Sequence, residues 1–267
     1  MGKWGRVAGG GGVEMREAMD HPLAVFVVAF VVLWIAARAG VWARARRREM
    51  ESEEREDFGV LLTATLTLLG LIIGFTFSMA INRYDQRKNY EEEEANAIGT
   101  EYLRAELLPG ADAAKVRAML KDYLALRIRF YKTNGGEELR EVNDRTMGLQ
   151  NALWEEVKTR ADVTQTAVAA LAVMGMNDVL NTQGYTQAAW WNRIPMAAWG
   201  LMWAIAVCCN FMIGYYLRPA KRHWVRLLVM PLVVAISFLL IADIDSPRGG
   251  IIRVSPQNLV SLQGGLK

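Results

Sequence analysis

The stretch that most constrains this chain runs from Phe58 to Glu94, FGVLLTATLTLLGLIIGFTFSMAINRYDQRKNYEEEE. Residues 58 to 81 carry no charge. At about 1.5 Å of rise per residue, that length crosses a hydrocarbon core of roughly 30 Å. Charge then arrives abruptly at Arg83, Asp85, Arg87 and Lys88, and the glutamates Glu91 to Glu94 follow. No Pro or loop-forming run separates the two parts, so the pattern predicts one helix that leaves a membrane and continues into water.

Averaged over 267 residues the chain is 52% hydrophobic and 22% charged, with a mean hydropathy of +0.11. The average hides segregation: apolar blocks lie at both ends and a charged block in the middle, as in a membrane protein with one extramembrane domain. The net charge of +3 does not point to nucleic acid. Cys208 and Cys209 are adjacent inside an apolar block, where neither disulfide geometry nor metal-ligand spacing is met.

The remaining elements are placed relative to that helix. Residues 1–20, with Gly9 to Gly12, read as a flexible leader. Lys3 and Arg6 ahead of an apolar run are also how a signal peptide begins. The run starts late, at Leu23, so a retained first membrane helix over 21–42 is the reading, with Pro22 near its first position. A connector rich in Arg and then Glu covers 43–57, where the arginines either meet anionic lipid or pair locally in a solvated helical connector. The second membrane helix covers 58–82. Residues 83–193 read as a helical extramembrane domain. Val116, Leu120, Tyr123 and Leu124 recur at amphipathic spacing, and breaks fall at Pro109-Gly110 and Asn134-Gly135-Gly136. A third span at 194–217 is flanked by Trp190, Trp191, Tyr215 and Tyr216. A short connector at 218–223 returns the chain into a fourth span at 224–242. The tail, 243–267, holds Ile251 to Val254 as a short strand or extended segment. The expected fold is all-α, with four transmembrane helices and a helical extramembrane domain between the second and third. Arginine density favours cytoplasmic connectors, whereas the total count of Lys and Arg does not.

Several groups are candidates for function. Gly70 and Gly74, with Thr63, Thr67 and Ser78, share one face of the second span. Such a face either packs tightly within the subunit or lines a pore or subunit seam. Asn82, Arg83, Tyr84, Asp85 and Arg87 form a polar cluster at the membrane exit, suited to anions or headgroups, or to snorkelling. Glu91 to Glu94, with Asn96 and Glu101, read as a solvated face, because consecutive helical residues point around the axis rather than converging on a cation. Asp243 and Asp245 are a candidate cation site or an ordinary polar helix end. His21 and His223 read as interfacial residues. Phosphate-loop, nucleophile-elbow, HExxH and dinucleotide patterns are missing, so no enzyme, metal or cofactor is expected.

Three blocks carry a resemblance: FTFSMAINRYDQRKNYEEEEANAIGTEYLRAELLP, NDVLNTQGYTQAAWWNRIPMAAWG and LIADIDSPRGGIIRVSPQNL. Over about residues 58–262 the chain resembles the bestrophin-like domain family of mostly bacterial membrane proteins. Bestrophins themselves are pentameric anion channels with four spans. Tyr84-Asp85-Gln86-Arg87 resembles the exit of their second helix, and Ile194-Pro195 the start of their third. The resemblance implies a homo-oligomer in the lipid bilayer, multi-pass in the bacterial inner membrane, with the helical domain and both termini cytoplasmic. It also implies a pore lined by the second helix and a passage for chloride or another small anion. Large apolar residues four apart narrow bestrophin pores. Aligned on Tyr84-Asp85, those places fall on Gly70, Gly74 and Ser78; slipped by one, on Leu69, Ile73 and Phe77. All six are candidate pore-lining positions. The other reading is a non-conducting scaffold or sensor whose helical domain binds a partner.

Overall fold

The computed structural model describes residues 21–47, 51–163, 166–217 and 223–266. The expected leader and most of the connector at 218–223 lie outside them. The described residues form helices: α1 (Pro22–Ala45), α2 (Ser52–Arg104), a 3-10 turn (Ala105–Leu107), α3 (Gly110–Lys132), α4 (Gly136–Val163), α5 (Ala167–Trp191), α6 (Met196–Tyr216), α7 (His223–Asp245) and α8 (Gln257–Gly265). Four stretches are long and apolar enough to cross a membrane: Pro22–Ala45, Ser52–Leu107, Ala169–Tyr216 and Val225–Asp245. The chain divides into two compact units. One holds the residues up to Asn82 together with Arg193–Ile252, the other Arg83–Asn192 with Arg253–Lys267.

In the first unit α1 packs along both α6 and α7. Its entry needs no side-chain cap, because the His21 carbonyl accepts the N–H groups of Ala24 and Val25 at 2.9 and 3.1 Å. Pro22 in the first turn forfeits no helical bond. The buried residues Ala29, Leu33, Ala36, Ala37 and Gly40 recur every three or four positions and make one stripe. The closest backbone approach occurs at two glycines absent from the small-residue face singled out in sequence. A Cβ on Gly40 would overlap the Phe211 carbonyl oxygen, and a Cβ on Gly214 would overlap that of Ala37. In lipid, helices associate largely through such packing. Gly70 and Gly74 differ: a Cβ on either would meet nothing within 4 Å. Tight packing of the Gly70-x-x-x-Gly74 motif within the subunit is therefore not what the fold uses.

The start of α2 is tied to the end of α6 by aromatic rings. Phe58 lies 5.4 Å from Tyr215 and 6.1 Å from Tyr216, centroid to centroid. Arg55 lies 4.6 Å over the Tyr216 ring and donates to its carbonyl at 3.0 Å.

The second unit buries one core. Ile98 and Tyr102 of α2 join Leu120, Tyr123 and Leu124 of α3, Leu153 and Val157 of α4, Met176 and Val179 of α5, and Leu259 of α8. Phe130, Tyr131 and Trp190 meet edge to face, with centroids 4.9 to 5.5 Å apart. Gly135 at φ 116° and Gly136 at φ 68° turn the chain between α3 and α4, a conformation that a Cβ disfavours. Thr166 caps α5 by accepting the Ala169 N–H at 3.2 Å.

Helices run further than the sequence boundaries. α1 continues to Ala45 and α2 begins at Ser52, so the link between them is shorter than 43–57. Glu53 and Glu54 fall in the first turn of α2, where carboxylates complement the helix dipole. α7 continues to Asp245, which puts Asp243 and Asp245 on its last turn rather than in a tail. Residues 251–254 form no strand; an extended segment finds no strand partner in a helical chain, and the tail instead carries α8.

Because Gly214 has no room for a side chain, Gly214→Val separates α1 from α6 and destabilises the protein by about 1–3 kcal/mol. Gly74→Ala changes stability by less than about 0.5 kcal/mol. Thermal unfolding of the two variants in detergent distinguishes these outcomes.

Candidate functional site

α2 is a single helix of 53 residues, and from Leu62 to Glu101 one stripe of it is buried. Leu62, Leu69 and Thr76 repeat every seven residues. Ala80, four residues beyond Thr76, opens a second seven-residue series with Arg87, Glu94 and Glu101 on the same side, and Glu91, Ile98 and Ala105 lie beside them. Seven residues are close to two turns, so these side chains share a face. Along that face the chemistry changes from apolar to ionic.

The six pore-lining candidates are distributed by this stripe. Leu69 is 1% exposed, Ile73 is half-buried and Phe77 is 36% exposed. A four-residue step overshoots a full turn by about 40°, so the series rotates away from the buried side. Gly70, Gly74 and Ser78 all lie on the open side. Only 11% of the apolar window of α2 is buried, against 28% for α1 and 50% for α7. Threonine hydroxyls in the apolar part of this helix bond to its own backbone. Thr63, Thr67 and Thr76 donate to the carbonyls of Gly59, Thr63 and Ile72 at 2.8 to 2.9 Å.

The membrane-exit residues do not converge as a group. Asn82 and Asp85 are exposed, and Tyr84 leans on the core of the second unit. Arg87 is buried and its Nε donates to the Arg83 carbonyl at 3.2 Å. Arg83 itself is half-buried, with Nη1 lacking a hydrogen-bond partner.

The glutamates that follow are not one solvated face. Glu92 and Glu93 are exposed, whereas Glu91, Glu94 and Glu101 are 1%, 0% and 0% exposed. Glu94 takes the Arg127 guanidinium through Nε, and accepts from Tyr131 and Thr186 at 3.3 Å each. Burial pulls the Arg127 pKa down most strongly, but the Glu94 carboxylate together with Tyr123 and Tyr131 more than offsets it and holds the group above its ordinary value. Arg127 also stacks 4.4 Å over Phe130. Burial raises the Tyr131 pKa first of all, and the neighbouring Glu94 charge raises it further, so the phenol stays a donor. Glu91 accepts the Leu259 N–H at 3.0 Å and Asn258 Nδ2 at 2.7 Å. The first-turn N–H groups of α8 have no partner within that helix, and a carboxylate there also meets the positive end of the helix dipole.

The two aspartates at the end of α7 serve separate donors. Asp243 accepts the N–H groups of Ile251 and Ile252 at 2.7 and 2.8 Å. Asp245 accepts Arg193 Nε at 3.0 Å and the Ile194 N–H at 3.1 Å. They hold the turn that follows α7 and the turn that precedes α6. Among the described residues, no three His, Cys, Asp or Glu side chains gather as metal ligands.

The sequence model of the Bestrophin-like domain matches residues 24–259, and the chain belongs to that family. A comparison with curated proteins found no match. Among solved structures, the chain is similar to a bacterial bestrophin homologue from Klebsiella pneumoniae carrying one mutation. The TM-score is 0.63 at 12% identity, covering 91% of this chain and 98% of that one. A second structure of that homologue, solved by Zn-SAD phasing, gives 0.59 at 14% identity, with the same coverage of 91% and 98%. At these identities the likeness is one of fold.

Glu94→Gln or Arg127→Met leaves the partner's charge buried alone, and either costs about 3–5 kcal/mol. A double substitution that removes both charges costs less than the sum of the two. Unfolding midpoints of the three variants in detergent read the difference.

Proposed function

We propose that the chain is a subunit of a homo-oligomeric channel for small anions, chloride among them, with α2 lining the path. The observation that carries this reading is the rotation of α2. Its buried stripe runs through Leu69, and Gly70, Gly74 and Ser78 stand on the open side. Membership in the Bestrophin-like domain family and the fold shared with a bestrophin homologue support it. The open side carries no carboxylate between residues 58 and 81 that would repel an anion. At the exit, the half-buried Arg83 and the exposed Lys88 carry positive charge, chemistry that suits an anion better than a cation.

In this arrangement Gly70, Gly74 and Ser78 face the path and Phe77 borders it. The path is wider than one narrowed by Leu69, Ile73 and Phe77 together, and Phe77 is the largest side chain left to restrict it. The second compact unit is the extramembrane part, on the cytoplasmic side of the bacterial inner membrane. Asp243 and Asp245 act as structural acceptors rather than a cation site. No catalytic role is proposed.

The test is thiol accessibility in a cysteine-free background, since the native Cys208 is exposed. Protein carrying Gly70→Cys, Gly74→Cys or Ser78→Cys reacts with a charged, water-soluble thiol reagent and changes its anion current in planar bilayers. Protein carrying Leu69→Cys does not. Phe77→Ala raises unitary conductance. A correctly assembled oligomer that passes no anion overturns the reading, and a monomer or dimer without current is the result expected of the scaffold.

A further inference from the structure

On the buried stripe of α2, three glutamates are handled in two ways. Glu91 and Glu94 are answered by donors that suit an ionised carboxylate. Glu101 is equally buried, yet both of its carboxyl oxygens lack a hydrogen-bond partner. It lies about 30 Å of helix beyond Ile81, outside the apolar span. Its neighbour on α5 is Gly175. A Cβ there would overlap Glu101 Oε2 and sit 2.6 Å from Arg104 Nη1, so the carboxyl fills the room a side chain would need. Two charged groups act on it, Arg104 on its own helix and Asp178 on α5, and these two lie 3.9 Å apart.

An ionised carboxylate without donors is costly to bury, and such a group takes up a proton instead. We infer that Glu101 is a proton-binding site: α5 packs on α2 at Gly175 while the carboxyl is protonated, and that contact loosens when the proton leaves. Burial is the main cause that raises its pKa, opposed by Arg104 and reinforced by Asp178, and the result is about 8 against an ordinary 4.5. The sign follows from linkage. The folded form holds the proton more tightly than the unfolded form, so protonation stabilises the fold. That contribution is complete below pH 4.5, declines as pH rises, and is gone above about 8. If α2 lines a channel, the bound proton becomes a regulator of the helix that forms it, but the site itself does not require conduction.

The experiment uses the full chain in nanodiscs. Infrared difference spectra between pH 6 and pH 9 show the carbonyl band of a protonated carboxyl that fades around pH 8 and is missing in Glu101→Gln. Hydrogen exchange around Gly175, corrected for intrinsic rates, rises over the same interval in the wild type and stays flat in Glu101→Gln. Should that variant fail to fold, Arg104→Gln decides, because loss of the positive neighbour moves the midpoint to higher pH. A wild type without the band at pH 6, matching profiles for wild type and Glu101→Gln, or an unmoved midpoint in Arg104→Gln overturns the inference. None of these readouts involves ion flow, so failure of the channel reading leaves them interpretable.

Discussion

Backbone hydrogen bonding in α2 continues without interruption from Ser52 to Arg104, and the rest of the chain answers to that one helix. A helix of about 3.6 residues per turn brings a face back after about eighteen residues, the distance from Thr76 to Glu94, whatever its surroundings. The face that buries Leu62, Leu69 and Thr76 is therefore the face that buries Glu94 and Glu101 further along. In the apolar part the cost of burial is small and the polar groups are hydroxyls that bond within the helix. In the charged part every buried carboxylate has to be paired, capped or protonated. Glu94 meets Arg127, Glu91 meets the start of α8, and Glu101 is left for a proton.

Close approach of helices is concentrated elsewhere. Gly40 and Gly214 bring α1 and α6 backbone to backbone. The small-residue face of α2 is left open by the same packing.

Much of the fold is legible in the residues. The uncharged run from 58 to 81, the breaks at Pro109-Gly110 and Gly135-Gly136 and the paired aromatics at 190–191 and 215–216 mark the elements. The buried glutamates were legible too, though not from their clustering. Glu91 and Glu94 share the spacing of Ala95, Ile98, Tyr102 and Ala105, and that apolar stripe points inward. Read by spacing rather than by adjacency, two of the four consecutive glutamates belong to the core. Gly40 and Gly214 carried no comparable mark, because a lone glycine in an apolar helix looks the same whether its neighbour is lipid or backbone.

The sequence by itself determined that the second span and its charged continuation form one helix, since nothing between Phe58 and Glu94 can break it. It also determined that the chain is helical and built for a membrane. The rotation of that helix came only from the tertiary structure. Leu69, Ile73 and Phe77 and their neighbours Gly70, Gly74 and Ser78 are equally regular in the sequence. Which series turns away from the subunit depends on where Leu62, Leu69 and Thr76 find partners, and those partners are assembled only when the chain folds.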